Sequence, residues 1–74
     1  MKPSREFFWR RAAMEFDKLS VALFQNVSAS FAEGHREYLA LQKELLREAG
    51  TEWERRHLRR LVAHHILSFA HFRA

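Results

Sequence analysis

Five of the seven phenylalanines of this 74-residue chain lie between Ser4 and Ala32, and their spacing constrains the fold more than any other feature. With about 100° of rotation per residue, a helix over residues 5–32 gathers Phe8, Ala12, Phe16, Leu19, Leu23, Val27 and Phe31 onto one broad face. That face is a core stripe for neighbouring helices to cover. Phe7, Phe8 and Trp9 are consecutive and together span about 200° of the helix surface, so no single flat neighbour covers all three. A thinner stripe of Phe7, Met14 and Val21 recurs every seven residues on the opposite side, among Arg10, Arg11, Lys18 and Gln25. Heptad spacing of this kind is a seam along which a further helix runs. Scattered apolar surface residues are the blander reading, and contiguity of the exposed patch decides between the two.

Helix boundaries follow from caps and breakers. Ser4 after Pro3 is a start signal, with Glu6 suited to the positive end of the helix dipole. The first helix is therefore expected from Arg5, with a kink or early end near Gln25 as the alternative, because Gln25 to Ser30 holds mostly poor helix formers. Gly34 is the expected stop, since glycine just past a helix end adopts the left-handed conformation at little cost. A second helix over residues 35–49 would line up Tyr38, Leu41, Leu45 and Ala49, flanked by Leu39 and Leu46. Thr51 and Glu54 then form a capping box, which opens a third helix over residues 52–72. Phase supports the break. A helix continued through Gly50 would turn Leu58, Leu61, Val62, His65, Phe69 and Phe72 about 170° away from the second helix's apolar face. The expected fold is all-α, a long N-terminal helix packed with two shorter ones in a three-helix bundle, with a two-helix antiparallel hairpin as the alternative. The chain contains no repeat or linker and is expected to form one domain, residues 1–74.

A domain this short buries only about 60 to 65% of its unfolded surface, so its own core is marginal. The absence of cysteine removes disulfides, thiolate zinc sites and cysteine nucleophiles. Association with a partner or with further copies is the remaining supplement. The charged N-terminus lacks the apolar region of a secretory leader, and the longest uncharged run, Leu19–Ala32, is too polar to span a bilayer. A cytoplasmic location is therefore expected, and a membrane partner is not.

The net charge of +4 is unevenly placed. Most of the excess falls after Gly50, where Arg55, Arg56, Arg59, Arg60 and Arg73 outnumber Glu52 and Glu54, and where four of the five histidines also lie. His57, His64 and His71 recur every seven residues, on the side of the third helix that carries Trp53 and Arg60. Residues so spaced stand about 10.5 Å apart along a helix, too far to share one zinc ion. His64 and His65 diverge by about 100°. Glu54 and His57 have the Glu-x-x-His spacing of di-iron bundles, but Glu54 is needed as a cap and Glu15, the only central candidate for a facing glutamate, lies on the flank of the core face. No metal or other cofactor is therefore expected. His65 reads as a core histidine. No His-Glu-x-x-His motif, phosphate loop or nucleophile elbow is present, and a thin helical domain provides no enclosed pocket, so enzyme activity is not expected.

The expected function is that of a small regulator or adaptor that docks on a larger protein, or on itself, through helix faces. Phe7, Met14 and Val21 would supply apolar anchors, and Trp53, His57, Arg60, His64 and His71 a mixed aromatic and basic strip, since Trp and Arg often carry interface energy. The alternative is a nucleic-acid binder in which Arg55, Arg56, Arg59 and Arg60 track phosphates and Trp53 stacks on a base. Helix two, the Gly50 turn and helix three resemble a helix-turn-helix in outline, against which Glu52 and Glu54 stand where such a helix meets the groove.

Overall fold

The computed structural model describes residues 5–73 and contains three helices: α1 (Arg5–Gln25), α2 (Phe31–Leu46) and α3 (Glu52–Arg73). No strand occurs among the described residues, and the break at Gly50 gives three packed helices instead of a two-helix hairpin. The expected Ser4 cap lies outside the described residues.

The proportions differ from expectation. α1 ends at Gln25, not Ala32, so two long helices flank a shorter middle one. Local hydrogen bonds favour this early end. The Asn26 side-chain oxygen accepts from the Ser28 N–H at 3.1 Å, and the Asn26 carbonyl accepts from the Ala29 N–H at 3.0 Å, closing a tight turn. Ser30, in extended conformation, then caps α2 by accepting from the Glu33 N–H at 3.1 Å. Ser30 and Glu33 repeat the Ser/Thr-x-x-Glu spacing seen at Thr51 and Glu54. Two members of the expected core stripe are lost as a result. Val27 sits in the turn with 85% of its surface exposed, and Phe31 opens α2, where it is exposed and stacks on His35.

Gly34 does not end a helix. It lies buried in α2, with its N–H bonded to the Ser30 carbonyl at 3.1 Å, and it faces the Phe69 ring of α3. One turn further along α2, Tyr38 lies 5.9 Å from His65, one turn earlier in α3. Paired contacts of this kind mean that α2 and α3 run antiparallel side by side. A helix-turn-helix needs its second helix to depart at about 90–120°, so the outline resemblance does not survive. α1 lies parallel to α3: Trp9 meets Trp53 and His57, Ser20 meets His65, and Phe24 meets Phe69 and Phe72.

Ala12, Phe16, Leu23, Ala29, Tyr38, Leu45, Leu58, Val62 and Phe69 form the buried cluster. At its centre Phe16 stacks on both Tyr38 and His65, one aromatic ring from each helix. The fully buried Tyr38 requires a partner for its hydroxyl, and Ser20 Oγ supplies it at 2.7 Å while also meeting His65 Nδ1 at 3.2 Å. His65 is thus the half-buried core histidine that its position suggests. Burial lowers its pKa below the usual value, Asp17 partly counteracts this, and the neighbouring His64 adds to the lowering. Phe72, expected in the core, is half-exposed and stacks on Phe24 with ring centroids 4.4 Å apart.

The start of α3 is built as the capping box requires. The buried Glu54 carboxylate accepts from the Gly50 N–H at 2.8 Å and the Thr51 N–H at 3.1 Å, while Thr51 Oγ1 accepts from the Glu54 N–H at 3.1 Å. Replacing Glu54 with alanine strands these donors. The expected cost is about 2 kcal/mol, read from urea denaturation, with Glu54→Gln costing less because its amide oxygen still accepts. An Ala variant as stable as the wild type would show that water caps this turn equally well.

Candidate functional site

The parallel packing of α1 and α3 sets the two sequence-predicted strips level with each other along the molecule. Because Trp9 sits beside Trp53 and His57, and Phe24 beside Phe69 and Phe72, residues Phe7, Met14 and Val21 stand level with Trp53, Arg60 and Leu67. Phe7, Met14 and Val21 are 63%, 51% and 55% exposed, so the heptad stripe of α1 points away from the core as its phase requires. Met14 and Val21 line a shallow open depression together with Arg10, Ala13, Asp17 and Lys18.

On α3 the predicted strip is arranged less uniformly. Trp53 is exposed on one side, while its ring lies 3.9 Å from that of His57, whose Nδ1 meets the Trp53 carbonyl at 3.1 Å. His57 is half-buried, packed also against Trp9. These rings form an aromatic cluster, extended by Phe8 edge-on to Trp9, that closes one end of the α1–α3 seam. Arg60, His64 and His71 are exposed. His64 and His71 flank Leu67 and Ser68 in a second shallow depression.

Leu67 is the residue that sequence reasoning passed over. It is 69% exposed and belongs to the series Trp53, Arg60, Leu67, which repeats every seven residues beside the histidine series. Together the two series give Trp53, His57, Arg60, His64, Leu67 and His71, alternating steps of four and three residues along one side of α3. That is the knob spacing of a helix seam.

The candidate phosphate-binding arginines are divided. Arg56 and Arg60 are exposed, Arg59 is exposed but lies 4.0 Å from Glu52, and Arg55 is half-buried 3.9 Å from the same carboxylate. Arg73 turns inward. Its guanidinium donates to the Leu23 carbonyl at 3.1 Å and to the Asn26 carbonyl, and lies over the Phe69 and Phe72 rings. α1 has no basic residue in its own last turn, so Arg73 of α3 supplies the cation that a helix C-terminus favours.

The opposite side of α1 is different in character. Its cleft with α2 is lined by Glu15, Glu37 and Glu44 around Leu19, Leu41 and Lys18, and Arg11 pairs with Glu48 across the same two helices. Three glutamates thus gather in the α1–α2 cleft, whereas α3 carries no acidic residue after Glu54. Among the described residues no three metal-ligating side chains converge, and no helix is long and apolar enough to cross a membrane. Comparison with protein-family models, curated proteins and solved structures finds no match.

Proposed function

We propose that this protein is a small non-enzymatic regulator or adaptor that binds a protein partner through its α1–α3 side, acting by occluding the partner's surface or recruiting it. The observation that carries this reading is the placement of Phe7, Met14 and Val21 on the solvent side of α1, level with Trp53, Arg60 and Leu67 of α3. Met14 and Val21 line one depression on α1, and contiguous exposed apolar surface marks interaction sites where isolated residues do not. Trp and Arg within the patch are the side chains most able to anchor a partner. The reading that α3 instead tracks a nucleic acid draws support from exposed Arg56 and Arg60, and loses it from Arg73, which is engaged inside the fold.

Met14→Glu tests the proposal. A carboxylate at this half-exposed position is expected to leave helicity and melting temperature nearly unchanged and to weaken capture of protein partners from a lysate of the native host by at least tenfold. Capture that disappears on nuclease treatment, with wild type and variant alike, would replace the adaptor reading with the nucleic-acid one.

A further inference from the structure

We infer that the occupant of this surface is an acidic amphipathic helix of another protein, laid along the exposed stripe of α3 as a fourth helix. The inference rests on the adaptor reading and names the chemistry of the partner. Three observations carry it: spacing, shape and charge. Trp53, His57, Arg60, His64, Leu67 and His71 alternate by four and three residues, and only a helix lying nearly parallel to α3 meets every member of such a series. The stripe stretches across about 27 Å of helix, enough for five turns of a partner. On α1, level with it, Arg10, Ala13, Met14, Asp17 and Val21 line a depression of their own. Ala13 there, and Ser68 between His64 and His71 on α3, are small enough to let the incoming backbone approach.

Charge selects the sign of the partner. Arg55 and Arg59 lie beside Glu52, Arg73 turns inward and Glu54 is consumed by the cap, which leaves exposed Arg56 and Arg60 as the cations of α3 for a partner, with no acidic residue after Glu54 to offset them. On the exposed face of α1, Lys18 and Arg10 stand with Asp17, and Arg10 is also paired with Glu6 at 2.7 Å. A partner with glutamate or aspartate beside its apolar seam meets these cations, while a lysine-flanked helix is repelled. The apolar residues argue for protein over phosphate, because Leu67 and Met14 gain nothing from a nucleic-acid backbone and are satisfied by leucine or isoleucine knobs. A second copy is a poorer occupant. Antiparallel pairing of two α3 stripes sets Arg60 against His64, basic against basic. Docking α3 into the α1–α2 cleft of another copy is a head-to-tail contact that does not close, and that cleft sets Lys18 among its glutamates.

The test uses the full chain and a labelled helical peptide of three heptads, leucine at the seam positions and glutamate beside them, with a lysine-flanked peptide and a short DNA duplex as comparators. Fluorescence anisotropy at low salt is expected to show the glutamate peptide binding at least tenfold tighter than the lysine peptide. Both Leu67→Glu and Arg60→Glu, at exposed positions that leave the circular dichroism spectrum intact, should weaken it at least tenfold. Equal binding of the two peptides, or no binding of either, overturns the inference. So does preferential binding of the duplex, and so does a concentration-dependent dimer in ultracentrifugation that Leu67→Glu dissolves. Failure here with nuclease-resistant capture retained in the lysate experiment removes the acidic helix and leaves the adaptor reading; loss of both removes both.

Discussion

Gly34→Val is expected to destabilise the protein by about 3 kcal/mol, and Gly34→Ala by about 1 to 2 kcal/mol, although alanine is the better helix former by about 1 kcal/mol. A Cβ at this position falls 2.6 Å from Cδ2 and 2.9 Å from Cζ of Phe69, and nearer still to Cε2. Phe69 is fully buried and packs against Tyr38 and Phe24, so its ring cannot swing into solvent to make room. Either the α2–α3 distance grows or the core shifts, and both lose contacts that a close-packed interior does not regain elsewhere. The mechanism is checked by a double-mutant cycle. In a Phe69→Leu background, already destabilised by its own loss of volume, Gly34→Ala should cost at least 1 kcal/mol less than in the wild type. Additive costs would mean that the strain lies in the α2 backbone and not against the ring.

Gly34 also shows where the sequence misleads. Glycine near the end of a polar, small-residue stretch reads as a helix stop, and nothing local distinguishes it from a glycine kept small for a neighbouring helix. The distinguishing signal lay a few residues earlier, in Ser30 and Glu33, which carry the same capping spacing that located the start of α3 correctly. Reading both boxes alike would have placed the α1–α2 boundary correctly and moved Val27 and Phe31 out of the core. The heptad stripe of α1 was legible because 21 residues of uninterrupted helix keep their phase. On α3 the aromatic and basic strip was seen, but Leu67, which its phase sets away from the core stripe of Leu58, Val62 and Phe69, was not counted in it. Arg73 could not be read at all. Its partners, the Leu23 and Asn26 carbonyls, are remote in sequence and are backbone atoms, which leave no residue signature. The parallel course of α1 and α3, which sets the two strips level, likewise arises from packing and not from any motif.

Phe16→Ala is expected to cost about 4 kcal/mol, much of the roughly 4 to 11 kcal/mol that a domain of this size possesses, and to change how stability responds to pH. Phe16 is fully buried, and its ring lies 5.4 Å from that of His65 and 6.3 Å from that of Tyr38. In the native protein burial holds the His65 pKa below its ordinary value. The unfolded chain titrates near the unperturbed value of about 6.5, so below that pH it takes up a proton that the folded protein resists. Stability from this group is therefore complete above pH of about 6.5 and declines as the pH falls toward the lowered native value, below which it is constant. Removing the Phe16 ring admits water to one side of the imidazole and relieves the main cause of the shift. Urea denaturation between pH 7.5 and 5.5 should show wild-type stability falling with acid, with a shallower fall in Phe16→Ala. His65→Gln should lose this component of the slope while retaining a side chain able to meet Ser20. Because Asp17 opposes the shift, Asp17→Asn should steepen the wild-type slope. A wild-type stability that does not change across this range would mean that His65 is as well solvated in the folded protein as in the unfolded chain, and the central Phe16–His65–Tyr38 stack would then be looser than its geometry implies.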